Sequence, residues 1–543
     1  MKLLGDVGMS RISVLRKTVA LVAFALTCIP VLAGGPFRVA IVGDPQVDNA
    51  AEMGYARESV YRELSGRKDI DLCLFLGDLV NDDMALLPES VQIIDSLPFP
   101  CLMVPGNHDR DVYRGSKVLH LEGTSEAKRD RQQNIDRPRD LYTWRKTVGY
   151  VDTAFVSGGV RFILMNNVRY ANAGMADYEG GFTTAQKHWL DSVLHVSVSG
   201  RRRAMRKYES PALTILATHI PFSQMKDRDS VLAMIPDLSR TLFISGHTHY
   251  VSRGCIKRTS DSEEASELIA GAACGSWWRG AKGADGVPYA LQGCGAPRGY
   301  FIADIRRDGD YRLSYKCIGR PESEQLSVWA VPYNSALDMT KQAGRLTAPG
   351  SMDVHVKEPD IARSGISRGN AGRVANLKQD SDGNPRHQRA ERTTGHGQDY
   401  RLHTTASGRD SGSSSRYRFY INVFGGSADG VTKISIPRKY RRSARPSGFR
   451  HLPCTQSSAT APEVEEVIRF NASMSREYRK AHRDEFIPLR RKPSPHLWQS
   501  DDTIHGVPPA YVNVRYHDRN MRLRMINVPV QKAEAVYPGL QVR

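Results

Sequence analysis

Five short segments of the chain gather side chains that can hold divalent metal ions. They are Gly43-Asp44-Pro45-Gln46, Gly77-Asp78, Gly106-Asn107-His108-Asp109, Thr218-His219-Ile220-Pro221 and Gly246-His247-Thr248-His249. Each follows an apolar run. Carboxylate, amide and imidazole donors in this mixture suit Mn, Fe, Zn, Co or Ni. One carboxylate can bridge two ions. Two ions about 3.5–4 Å apart can hold a phosphate, ionise a water and stabilise a leaving oxygen, so no covalent nucleophile is required. Glycine stands before the first polar residue in every segment but the Thr218 one, where it lets the backbone turn sharply and approach closely. No CxxC pair occurs, which argues against a thiolate zinc site.

The apolar runs must be the elements that aim these groups. Their β-branched, strand-length character predicts strands over 37–42, 72–76, 101–104, 160–165, 212–217 and 241–244. Helical spacing predicts helices over 50–64, 88–97 and 183–194. The last has Thr183 as a cap and Trp189, Leu190, Val193 and Leu194 as its apolar face. Strands alternating with helices imply an α/β core, and ligands in such sheets collect beyond the carboxyl ends of strands. Further strands over 267–270, 300–305 and 311–317 would close one side.

Taken in order, the five segments resemble the D-x-H, G-D, G-N-H-D/E, H and G-H-x-H pattern of the calcineurin-like metallophosphoesterase superfamily, over about 37–317. The resemblance implies a β-sandwich core flanked by helices. It also implies hydrolysis of a phosphate monoester or diester by a water that two metal ions activate. Carried over residue by residue, Asp44, Gln46 and His249 would hold the first ion, and Asn107, His219 and His247 the second. Asp78 would bridge both. His108 would stay off the metals, near the scissile phosphate, as a proton donor or charge stabiliser, and Asp109 would orient His108 or its loop. Gln46 stands where the family usually carries histidine. An amide oxygen is the harder, weaker donor and favours Mn or Mg over Zn. The expected cofactor is therefore two divalent ions drawn from Mn, Fe, Zn or Mg.

A narrower resemblance extends the match. Tyr178-Glu179-Gly180-Gly181, with Gln186 and Trp189-Leu190, is similar to the helix entry of many such phosphatases. The block from Gly271 to Trp278, then Asp285-Gly286-Val287-Pro288 and Pro297-Arg298-Gly299-Tyr300, resembles a bacterial exported subgroup with a C-terminal β domain. That subgroup usually reads D-G-T-P-N-G-Y where this chain has Cys294 to Tyr300, so an acid and an asparagine are missing. Trp277 and Trp278 read either as an aromatic platform for a base or sugar or as a packed loop closing the core. Asn166, Asn167 and Arg169 follow a strand and can reach a phosphate; an exposed loop charge is the plainer reading of Arg169.

Composition bounds the rest. At 543 residues the chain is long enough for two or three domains. The net charge of +18 favours anionic substrates or acidic surfaces. The densest basic runs, at 201–203, 438–442 and 490–492, lie outside the metal segments. No aromatic-interleaved motif marks a dedicated nucleic-acid binder. Residues 1–33 read as a signal peptide, with a basic start, an apolar run and Val31-Leu32-Ala33, which places the protein in the periplasm or at the cell surface. Eight cysteines include Cys28 in that leader, and Cys255, Cys274, Cys294 and Cys317 are candidates for pairing in an oxidising compartment. Cys73 and Cys101, in apolar strands, read as free thiols.

The expected division is a catalytic domain over 37–318 and a smaller β-rich accessory domain over 319–543. A loose basic insertion at about 345–415 interrupts the latter. Expected partners are a phosphorylated small molecule or phosphodiester, and an acidic surface that the insertion's charge could hold. A cell-surface binding protein with an inactive phosphoesterase core is the competing reading, with Gln46 as the place where decay could begin.

Overall fold

The computed structural model describes residues 35–111, 141–170, 178–195, 211–258, 263–333, 416–437 and 448–532. The leader, the basic insertion and the basic runs at 201–203 and 438–442 lie outside the described residues.

The run Phe-Arg-Val-Ala-Ile-Val forms β1 (Phe37–Val42), buried at nearly every position as a central strand must be. The chain continues through α1 (Ala50–Ala56), capped by the Asn49 side chain. Where one helix over 50–64 is expected, α1 passes through a π turn at Arg57–Tyr61 before regaining α-helical form at Arg62–Ser65. Next come β2 (Leu72–Phe75), α2 (Leu87–Asp95), β3 (Cys101–Met103) and α3 (Tyr142–Val148). Asp111 receives the Thr143 backbone N–H and hydroxyl at 2.7 and 2.5 Å, tying down the start of α3.

Then follow β4 (Thr153–Ser157), β5 (Val160–Leu164), β6 (Val168–Tyr170), β7 (Tyr178–Gly180), α4 (Thr184–His195), β8 (Leu213–Ala217), β9 (Thr241–Ser245), β10 (Val251–Lys257), β11 (Glu264–Ala270), β12 (Gly299–Ile305) and β13 (Tyr311–Cys317). The hairpin β6–β7 and the strands β4 and β10 are additions to the expected set.

Two sheets result, in the orders β13-β12-β1-β2-β3 and β10-β11-β9-β8-β5-β4. Their facing sides share one core, in which Val39, Ile41, Leu72 and Leu74 meet Phe162, Ile215, Leu242 and Ile244. The outer faces bury against α1–α3 on one side and α4 on the other. This is the metallophosphoesterase-type sandwich. The pairs β1–β2, β2–β3, β5–β8 and β8–β9 are all parallel, so the loops after β1, β2, β3, β8 and β9 emerge at the carboxyl ends of parallel strands.

The remaining strands are β14 (Leu326–Pro332), β15 (Arg416–Val423), β16 (Val431–Pro437), β17 (Phe449–Gln456), β18 (Leu497–Ser500), β19 (Ile504–His505), β20 (Tyr511–His517) and β21 (Arg522–Lys532). Because β14 pairs with both β21 and β15, the sheet closes into a barrel with its own core, including Trp498, Phe419, Val514 and Tyr516. Closure removes the sheet edges that would invite aggregation. The barrel is fastened to the sandwich by Arg253, whose guanidinium grips Asp518 at 2.8 and 3.2 Å with both groups buried. The described cysteines, Cys73, Cys101, Cys255, Cys274, Cys294, Cys317 and Cys454, are all free thiols, so none of the four pairing candidates pairs with another.

Candidate metal centre

All five metal segments leave their strands into tight turns, and the backbone there is unusual. Asp44, Gln46, Asp78, His247 and His249 all have positive φ, between 39° and 71°. Such left-handed conformations cost energy for a non-glycine residue and persist where the surroundings over-determine them. Here the glycines make room. A Cβ on Gly106 would land on the Asp78 carboxylate, and one on Gly246 would land on Asp44.

Asp78, His219 and His247 converge, with one ligand atom from each within 4.8 Å of the others. His219 Nε2 is 3.2 Å from Asp78 Oδ2, 2.9 Å from Asn107 Oδ1 and 3.1 Å from His247 Nδ1. His219 Nδ1 lies 2.8 Å from the Leu76 carbonyl, which can only accept, so Nδ1 carries the proton. In the neutral ring Nε2 is then a lone pair, facing a carboxylate oxygen, an amide oxygen and a second imidazole nitrogen. Two acceptor oxygens and two imidazole nitrogens crowded together call for a cation. Without a metal the proton takes that part: the Asp78 and Asp44 charges outweigh burial and raise His219 to about 9. Burial, with His219 beside it, depresses His247 to about 3. Asp78 is held well below the usual carboxylate range, because the neighbouring His219 and His108 outweigh desolvation. The donor set therefore fits a divalent ion.

Asp44, Gln46 and His249 stand on adjoining loops. Both Asp44 carboxylate oxygens accept the His247 backbone N–H at 3.0 Å. The His249 Nδ1 donates to the Gly275 carbonyl at 2.6 Å, which fixes the tautomer that leaves Nε2 as the donor atom. Burial depresses His249 to about 4 and keeps that nitrogen unprotonated at neutral pH. The Gln46 amide N–H reaches Asn81 Oδ1 at 3.2 Å, so its Oε1 points the other way, 3.9 Å from Cys274 Sγ. Cys274 Sγ is also 3.7 Å from His249 Nδ1, so this pairing candidate is instead a free thiol beside two expected ligands.

His108 is oriented by Asp82, not by Asp109. Its Nδ1 is 2.8 Å from Asp82 Oδ1, and its backbone N–H donates to Asp78 Oδ1 at 2.9 Å. Asp109 is buried and accepts the Val80 and Gly106 N–H groups at 3.0 and 2.9 Å. It ties the Asp78 loop to the Asn107 loop. Burial and the nearby Asp78 raise it to about 7. The Asp82–His108 contact leaves no local mark because the two residues lie in different loops; an acid four residues after Asp78 is the only signal.

Asn167 is buried and clamps the loop after β8 instead of facing a phosphate: its side chain both donates to the Ile220 carbonyl at 2.8 Å and accepts the Ile220 N–H at 3.0 Å. Tyr178, at the start of β7, sets its ring edge-on to His247 with centroids 5.8 Å apart, so the β6–β7 hairpin borders the centre. Arg169 is exposed on that hairpin. The two tryptophans part company. Trp278 is buried, donates its indole N–H to the Pro45 carbonyl at 2.8 Å and lies under Arg298. Trp277 is half-buried and stacks on His249 with centroids 4.7 Å apart. Arg298, at the position where the exported subgroup has asparagine, is buried against Trp278 and Ser59.

Residues 37–251 match the sequence model of the calcineurin-like phosphoesterases, and residues 267–357 match the model described as the C terminal of calcineurin-like phosphoesterase. No curated protein matches the chain in sequence. Among solved structures, it is similar to a purple acid phosphatase, PPD1, from yellow lupin (Lupinus luteus) seeds. The identity is 15% and the TM-score 0.31, covering 52% of each chain. It is similar also to PhoD, at 13% identity and TM-score 0.34, covering 52% of this chain and 66% of that one. A third is GAP50 of Plasmodium, at 13% identity and TM-score 0.29, covering 52% and 84%. The chain thus spans about half the length of the lupin phosphatase and just under two thirds of PhoD. The family assignment rests on the sequence models and not on these neighbours.

Proposed function

Starting from the fact that the chain belongs to the calcineurin-like phosphoesterase family, we propose that it hydrolyses a phosphate monoester or diester at the centre built around Asp78. The observation that carries this reading is the convergence of one metal-ligating atom each from Asp78, His219 and His247, with Asn107 Oδ1 2.9 Å from His219 Nε2. In this reading Asn107, His219 and His247 hold one divalent ion, Asp44, Gln46 and His249 hold another, and Asp78 is shared. Ions bound there would supply Lewis-acid polarisation of the phosphate and a water ionised near neutral pH. His108, with Nδ1 committed to Asp82, offers Nε2 to the leaving oxygen or to charge developing on the phosphate. Asp109 holds the two loops at the spacing this requires. Trp277 and the exposed Arg169 border the entrance and would meet the organic part of the substrate and its phosphate.

The competing reading, a binding protein with an inactive core, sits poorly with a buried cluster whose residues retain every donor type the chemistry needs. The leader-like stretch 1–33 supports export, and among the described residues no helix is long and apolar enough to cross a membrane. Elemental analysis of the purified protein, with assays on p-nitrophenyl phosphate and bis(p-nitrophenyl) phosphate, tests the proposal. Metal-dependent release from one of them is the expected result. A metal-loaded protein that turns over neither substrate would favour the binding reading.

A further inference from the structure

At the end of the sandwich away from the metal segments, a cavity of about 290 Å³ is lined by Arg306, Arg312, Arg519 and Arg522, with Asp310, Tyr311, Asn520 and Met521. Phe37, the first residue of β1, pairs with Ile305, whereas Asp44 follows the last. The turn at 306–310 therefore lies a full strand length from the metal centre, roughly 20 Å at 3.3 Å per residue. The cavity is rigidly built. The Leu313 N–H donates to the Asn520 carbonyl at 2.9 Å, the Asn520 amide donates to the Tyr311 carbonyl at 3.2 Å, and the Arg253–Asp518 pair lies just behind.

The basic surface continues from Arg522 across the barrel. Register places Lys433 opposite Arg515 and Arg515 opposite Arg524; the next row is Val431, His517 and Arg522. Thr432, Ile434, Val514 and Tyr516 point into the barrel, so strand alternation turns both rows outward. Like charges directly opposite one another destabilise a sheet. Among the described residues, Arg312, Lys433, Arg515, Arg519, Arg522 and Arg524 form no ion pair, and the acid of the cavity, Asp310, leans on Arg306 at 3.7 Å. A row of cations kept at a cost, beside a cavity of arginines, is a surface waiting for an anion.

We propose that this face docks the protein on a membrane leaflet rich in anionic phospholipid, with one headgroup phosphate seated in the arginine cavity. Two aliphatic side chains flank the arginines, Val431 at 44% and Ile526 at 64% exposure, and both can enter the headgroup layer while the cations meet phosphates. The arginine cavity itself lies a strand length from the metal centre, so a headgroup seated there does not occupy the catalytic pocket.

The test is cosedimentation of the full chain with phosphatidylcholine vesicles, with and without phosphatidylglycerol. Binding should require the anionic lipid and should fall steeply with salt, since screening shortens the reach of exposed charges. The triple variant Arg515→Gln, Arg522→Gln, Arg524→Gln should lose about a hundredfold in partitioning and keep wild-type turnover on the chromogenic substrates. Should the triple variant fold poorly, Arg522→Gln alone, which touches both cavity and row, should lose about fivefold. Wild-type vesicle binding by these variants would overturn the proposal. So would calorimetric binding of inorganic pyrophosphate, lost in Arg522→Gln, without any vesicle binding, because the ligand would then be a soluble phosphate.

Discussion

The imidazole of His108 is pinned at both ends of its residue: Nδ1 is 2.8 Å from Asp82 Oδ1, and the backbone N–H donates to Asp78 Oδ1 at 2.9 Å. Asp82 thereby fixes which nitrogen faces the substrate. His108→Ala should cut turnover by about 10²–10⁴-fold, the usual worth of a general acid, with metal content unchanged. Asp82→Asn should lower kcat in the same direction by a smaller factor and shift the alkaline limb of the pH–rate profile, where a general acid loses its proton. Loss of metal from His108→Ala, measured by elemental analysis, would make His108 a ligand instead.

Asp78→Asn should abolish hydrolysis and lower metal content together, because the shared carboxylate loses its charge. Gly106→Ala should mimic it, since the added methyl group would occupy the space of the Asp78 carboxylate. Near-normal activity with full metal occupancy in Asp78→Asn would remove that residue from the centre.

Metal uptake should release a proton. In the metal-free protein His219 is raised to about 9, so near pH 7 it holds a proton that a metal must displace. Affinity should therefore climb as pH rises from 7 to 9. The same shift has a sign for stability. A base with a raised folded pKa stabilises fully below its unfolded value of 6.5, and that contribution is lost as pH rises through about 9. Chelator-treated protein should show a falling Tm over this window, and metal-loaded protein should not. Calorimetry in two buffers of different ionisation enthalpy counts the released proton.

Trp277 and Trp278 should fail differently on truncation. Trp278→Ala empties a buried site and frees the Pro45 carbonyl, costing about 3–5 kcal/mol of stability as large core truncations do. Trp277→Ala should leave the Tm nearly unchanged and raise KM for an aromatic phosphodiester. Denaturant melts and steady-state kinetics on the two variants separate these outcomes.

Deleting about 345–415 should leave the metal centre working. The stretch is poor in large apolar residues and cannot bury enough surface to offset the entropy of ordering it. Specific activity and metal content of the deletion variant, compared with the full chain, check this. A soluble variant that binds metal without turnover would put the insertion at the active site.

What the sequence determined by itself is the chemistry of the centre and the strands behind it. Metal donors must be particular residue types, the turns that present them need glycine, and buried strands need unbroken apolar runs, so each of these leaves a local mark. The runs that end at Val42, Phe75, Met103, Ala217 and Ser245 were legible for that reason. What only the tertiary structure decided is everything carried by residues far apart in the chain. Asp82 serves His108, Cys274 sits beside Gln46 and His249, and Asn167 clamps Ile220, and none of these contacts bears a local signature. The parting of Trp277 from Trp278 depends on which ring finds the Pro45 carbonyl. The barrel closes only because β14 meets both β15 and β21, and the basic rows exist only in the register of β16, β20 and β21. Periodicity along a strand tells which side chains share a face; the strand that lies opposite, and so whose charge stands next to whose, is set by packing over the whole molecule.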